Sequence, residues 1–148
     1  VITPEVEKLR DDFQLPGMKI LQFTFSSDEE NKDLPHHIER NFVVYTGTHD
    51  NDTSLGWFKS TGVTERLILK QYLKFPRYKF TKRFIEMAWA TVADRALIPL
   101  QDLLGLDSKG RMNVPGVASG NWEWRFQWKM LKQKHKNFLK EITRKYDR

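Results

Sequence analysis

Apolar residues recur along this 148-residue chain in two alternating modes, short continuous runs and helical-period faces. Thr3-Pro4-Glu5 predicts a helix start, with Thr as cap, Pro in the first turn and an acid behind it. Val6, Leu9 and Phe13 then share one face, and Pro16-Gly17 stops the helix. Met18–Phe23 predicts a strand, and residues 26–41 a polar loop. Phe42–Tyr45 is a second apolar run of strand length. A helix capped by Thr64 follows, with Leu67, Ile68, Tyr72 and Leu73 inward and Pro76 as its stop. Phe80, Phe84, Ile85, Ala88 and Trp89 mark a helix over about 78–93. Ala96–Leu100 reads as a third strand, although Pro99 belongs only near a strand end. Asp102-Leu103-Leu104-Gly105 opens a short turn or helix, and residues 110–120 form a Gly- and Pro-bearing loop. From Trp122 a long Lys-rich helix is expected, with Trp128, Leu131, His135, Phe138, Leu139 and Ile142 on its apolar side. This alternation predicts an α/β fold with a mostly parallel sheet. Three strands are too few to close a barrel.

The second run ends in Tyr45-Thr46-Gly47-Thr48-His49-Asp50-Asn51-Asp52-Thr53, which sets a Gly, a His and two carboxylates within six residues. Carboxylates beside a His at a strand's C-terminal end are where α/β barrels place chemistry. Asx-rich turns also arise for conformational reasons alone. On that reading Asp50 caps a turn at Thr53–Gly56, and Asp52 is a turn acceptor. Gly47 is expected to let the backbone turn sharply.

Composition narrows the classes. Hydrophobic residues make up 39% and aromatic residues 13%, enough for a core, and no apolar run reaches membrane-span length. The chain opens on Val1-Ile2-Thr3-Pro4 without a Met or a signal-type segment, which predicts a processed or excised chain. Zero Cys excludes disulfides and thiolate metal sites and fits a reducing compartment. His36, His37 and His49 lack metal-ligand spacing, so no metal site is expected. The net charge of +6 is concentrated from Lys129 to Arg148, where eight Lys or Arg face two acids, so it reads as a solvated helix face. Nothing groups the basic and aromatic residues into a nucleic-acid motif.

Several segments in order carry a resemblance: Ile2-Thr3-Pro4-Glu5-Val6, Leu15-Pro16-Gly17-Met18-Lys19-Ile20-Leu21-Gln22-Phe23 and Val44–Thr53 with Gly56-Trp57. Gln101–Leu106, Arg111-Met112-Asn113 with Pro115-Gly116, and Gly120-Asn121-Trp122 with Trp124-Arg125 continue it. Together they resemble the 4-α-glucanotransferases (amylomaltases, disproportionating enzymes) over nearly the whole chain. The resemblance implies the C-terminal part, about strands six to eight with their helices, of a TIM (β/α)8 barrel, as a single fragment spanning 1–148. It implies a retaining double displacement on α-1,4-glucans, with no cofactor, no membrane and no nucleic acid, in the cytoplasm or, for a plant source, the plastid. Of the family's three carboxylates only the third maps here, onto Asp50. The nucleophile and the acid/base fall upstream of Val1, in a missing N-terminal half of the barrel. His49 maps onto a sugar-binding His and Asn113 onto a substrate contact, while Trp57 and Trp122 are candidate ring platforms. Trp122, Trp124 and Trp128 also read as core. The sequence departs from the family at His37 and at Asp107-Ser108-Lys109-Gly110 before Arg111. The rival readings are a non-catalytic malto-oligosaccharide-binding fragment and, last, a nucleic-acid module.

Overall fold

The computed structural model describes residues 2–25, 34–74 and 79–148. The residues of the polar loop from 26 to 33 and the helix stop at Pro76 lie outside the described residues, as does Tyr78. Among the described residues, nine α-helices and strands carry the fold: α1 (Pro4–Asp12), β1 (Gly17–Ile20), β2 (Phe42–Tyr45), α2 (Ser54–Ser60), α3 (Val63–Leu73), α4 (Phe80–Ala90), β3 (Arg95–Leu97), α5 (Leu100–Leu104) and α6 (Gln133–Lys145). The three strands form one parallel sheet in the order β1-β2-β3. Gly17 pairs with Phe42, Val43 with Arg95 and Tyr45 with Leu97.

The register sorts the side chains onto two faces. Phe42 and Val44 point to one face and are buried in a core with Phe58, Phe80, Phe84 and Ala88 from α2 and α4. Stacked and tilted ring pairs, among them Phe58–Phe80 at 4.1 Å and Phe80–Phe84 at 5.1 Å, fill the layer between sheet and helices. Gly17 is required here: a Cβ would run into the Phe42 ring. The other face, which carries Met18, Ile20, Val43, Tyr45 and Leu97, has no covering layer among the described residues. Met18 is 57% exposed and Leu97 46%.

Several boundaries differ from the sequence expectations. β1 ends at Ile20, and Leu21–Phe23 form a 3-10 turn that buries Leu21 and Gln22. β3 ends at Leu97, because Pro99 has no N–H for a ladder and instead sits at the N-cap of α5. α3 starts after Gly62, so Thr64 lies inside it; Leu69 is buried, whereas Leu67 is 55% exposed. The long helix expected from Trp122 begins only at Gln133. Trp122 sits in the left-handed region at φ 63°, its N–H donates to Met112 O at 2.6 Å, and a 3-10 turn covers Trp128–Met130. Trp128 is therefore solvent-facing rather than core. His135 Nδ1 accepts the Lys132 N–H at 3.1 Å and closes the start of α6. The apolar face of α1 is uncovered: Val6, Leu9 and Phe13 are all exposed.

Candidate active site

Parallel strands deliver their following loops to one edge of the sheet, so residues after β2 and after β3 meet there. The loop after β2 is held at both ends by one carboxylate. Asp102, on α5 and 1% exposed, accepts hydrogen bonds from Thr46 Oγ1 at 2.6 Å, Ser54 N–H at 2.7 Å and Ser54 Oγ at 2.6 Å. Burial raises the Asp102 carboxyl above its ordinary range, against the lowering pull of those bonds. Between the pinned ends, Asn51 Oδ1 accepts from Thr48 N–H at 2.9 Å and Thr48 Oγ1 at 2.8 Å, closing an Asx-stapled turn. Gln22 Nε2 donates to Asp52 O at 2.9 Å from the 3-10 turn after β1. Gly47 stands where a Cβ would come 2.6 Å from that Nε2, so it is needed for close approach and not for a turn of positive φ. Thr53, not Asp50, caps α2, accepting the Gly56 N–H at 3.1 Å. Asp52 is an acceptor, locally for Thr53 N–H at 2.7 Å and across the fold for Ser108 Oγ at 2.6 Å.

That scaffold leaves His49 and Asp50 at the crest of the loop, both about half exposed. The loop after α5 runs beside them. Asn113 N–H donates to His49 O at 3.1 Å, and Asn113 Nδ2 donates to Asp50 Oδ1 at 2.6 Å. His49 Nε2 lies 3.4 Å from the same Oδ1. No described residue donates to Asp50 Oδ2. The Trp122 ring lies 5.1 Å from the His49 ring, tilted by 38°, and is half exposed. So Asp50, His49, Asn113 and Trp122 come together from three separate stretches of chain. Trp57 does not join them: it packs against Phe80 and Phe84 and only borders the groove. Two clefts flank the crest, one of 370 Å³ towards β3 and α5 and one of 850 Å³ towards β1. A carboxylate, an imidazole and an amide beside an aromatic face are the groups that hold a polyhydroxylated ring, by hydrogen bonds at its rim and contact across its C–H face. Among the described residues no three His, Asp or Glu side chains converge as a metal site, and no helix is long and apolar enough to cross a membrane.

The family profile described as 4-alpha-glucanotransferase matches residues 1–132. The chain belongs to the 4-alpha-glucanotransferase family. It is 47% identical over its whole length to the 4-alpha-glucanotransferase of Synechocystis and 45% identical to that of Thermus thermophilus. It spans only 30% and 31% of the length of those two relatives. The amylomaltase of Streptococcus agalactiae, solved in complex with acarbose, superposes on the whole chain with a TM-score of 0.95 at 35% identity, over 30% of that protein. The α/β architecture with its parallel sheet is therefore that of a segment of an amylomaltase.

Within this 4-alpha-glucanotransferase segment, sequence reasoning passed over Asp102, Gln22 and Arg111. Each left a trace. Gln22 stands between the apolar Leu21 and Phe23, Asp102 sits in Gln-Asp-Leu-Leu-Gly, and Arg111 stands two residues before Asn113. None of those traces says which distant atoms the side chain meets.

Proposed function

We propose that residues 1–148 are the C-terminal part of a (β/α)8-barrel 4-α-glucanotransferase, about strands six to eight with their helices, forming one partial domain that is inactive alone. Two observations support the fragment. Parallel sheets are covered on both faces, whereas the Met18–Leu97 face is open among the described residues. The relatives are also roughly three times longer. The enzyme transfers α-1,4-glucan segments between maltodextrins by retaining double displacement, in the cytoplasm or, in a plant, the plastid. The nucleophile and acid/base, about 5 Å apart in such enzymes, come from the N-terminal portion.

Asp50 supplies the third carboxylate. Its Oδ2, to which no described residue donates, and the His49 imidazole hydrogen-bond sugar hydroxyls, and these bonds strengthen as positive charge develops on the ring, so they favour the transition state over the ground state. Asn113 orients Asp50 and contacts sugar, Trp122 gives a ring an apolar face, and Trp57 borders the cleft towards β1. The observation that carries this reading is the 2.6 Å Asn113–Asp50 bond, which joins two loops at the C-terminal edge of a parallel sheet.

The test is Asp50→Asn in the full-length polypeptide, assayed by maltotriose disproportionation. A fall in kcat of about 100-fold or more is expected. Near-normal turnover would refute the assignment. Malto-oligosaccharide binding by a full-length protein that turns nothing over would favour the non-catalytic binding reading instead.

A further inference from the structure

Among the described residues, Arg111 is the side chain that grips the main chain on both sides of the Asp50–Asn113 contact. It follows the 3-10 turn Ser108–Gly110, and its N–H donates back to Ser108 O at 3.1 Å, which fixes where the side chain starts. Its Nε donates to Asn113 O at 2.8 Å and its Nη2 donates to Asp50 O at 2.7 Å. A planar guanidinium offers these two donors in a fixed fork, so it sets the separation and the relative tilt of the two peptide planes it bridges. Both carbonyls belong to the residues whose side chains meet at 2.6 Å. With Asn113 N–H on His49 O, the result is a closed ring of contacts tying residues 49–50 to residues 111–113. Both Arg111 side-chain bonds go to backbone carbonyls and not to the Asp50 carboxylate or the Asn113 side-chain amide. Arg111 acts on where those groups stand.

We propose that Arg111 is the positioning residue of this site: it holds the Asp50 loop and the Asn113 loop in one rigid register, so that the Asp50 carboxylate is aimed before substrate arrives. The inference rests on the glucanotransferase reading of Asp50. A site displaced by about 1 Å loses about 100-fold in rate, while a tether that contributes only aim leaves ground-state binding nearly intact. A lysine has one compact charge in place of a fork and cannot hold both carbonyls in plane.

The experiment measures kcat and KM for disproportionation in the full-length polypeptide carrying Arg111→Ala or Arg111→Lys, with Asp50→Asn as control. The expected results are a kcat fall of about 100-fold for Arg111→Ala and about 10-fold for Arg111→Lys, with KM within about threefold of wild type. Added guanidinium ion should restore part of the Arg111→Ala rate and none of the Asp50→Asn rate. If Arg111→Ala fails to fold, Arg111→Lys carries the test by the same split. Unchanged kcat, or a KM that rises while kcat holds, overturns the positioning role, the second because it would make Arg111 a direct substrate contact. Full activity in the Asp50→Asn control would instead overturn the functional reading itself, so the two failures are distinguishable.

Discussion

Replacing Asp102 by alanine should loosen the loop that carries His49 and Asp50 without touching either residue. The carboxylate takes three hydrogen bonds, from the Thr46 hydroxyl, the Ser54 hydroxyl and the Ser54 N–H. Thr46 and Ser54 are both 0% exposed, so water cannot replace the lost acceptor without the loop opening. An orphaned buried donor costs about 1–3 kcal/mol. Three of them would sum to several kcal/mol, but two are hydroxyls that can rotate, and removal of a desolvated carboxylate returns part of the loss. A net local cost of about 3 kcal/mol follows for Asp102→Ala. Asp102→Asn keeps the amide oxygen for the Ser54 N–H and should cost about 1 kcal/mol. Hydrogen exchange of peptides spanning residues 46–58 reads this directly, because local opening sets the exchange rate. About 3 kcal/mol corresponds to roughly 100-fold faster exchange at Ser54, with alanine faster than asparagine and asparagine faster than wild type. Exchange within about threefold of wild type for alanine would show that the three bonds carry no weight. The pH dependence has a definite sign. A carboxyl raised by burial binds its proton more tightly in the folded state, so its contribution is lost as pH rises through the raised value. The stability difference between Asp102→Asn and wild type should shift in the variant's favour over that rise.

Further outcomes are expected at the margins of the site and at the helix packing. Gly47→Ala puts a methyl 2.6 Å from Gln22 Nε2 and should cost about 1–3 kcal/mol; a double-mutant cycle with Gln22→Ala should recover most of it, and an unchanged penalty would exclude the clash as cause. Glu86, 13% exposed, accepts from Lys145 at 2.6 Å, Arg83 at 2.6 Å and Tyr146 at 3.1 Å, joining α4 to α6. Burial works to raise its carboxyl, but those bonds outweigh it and hold the group below its ordinary value near 4.5. The stability it adds is therefore present above that value and lost as pH falls through the lowered one. The difference between wild type and Glu86→Gln in chemical denaturation should shrink below about pH 4.5, and a pH-independent difference would contradict the ion cluster.

The linear pattern of apolar and polar residues already determined much of this molecule. The apolar run at Phe42–Tyr45 places β2 to the residue, and the period of Phe80, Phe84 and Ala88 gives α4 its buried face, because local periodicity and burial are the same property seen in one and three dimensions. The ordered motifs were enough to indicate the family; the strand-end motif singled out His49 and Asp50, and the resemblance at Arg111-Met112-Asn113 added Asn113. Boundaries set by long-range bonds were not legible. Trp122 begins no helix because the Met112 carbonyl holds its N–H in a left-handed backbone, and nothing local to Trp122 announces a partner ten residues earlier. α1 reads as a half-buried helix but stays bare, since periodicity marks which face is apolar and says nothing of what covers it. Only the tertiary structure decided that Asp102, 48 and 56 residues along the chain from its partners, anchors both ends of the motif loop, and that Arg111 reaches back 61 residues to the Asp50 carbonyl. The type of a residue shows which bonds it is able to make. The identity of its partner is set by the fold, which alone brings distant donors and acceptors within 3 Å.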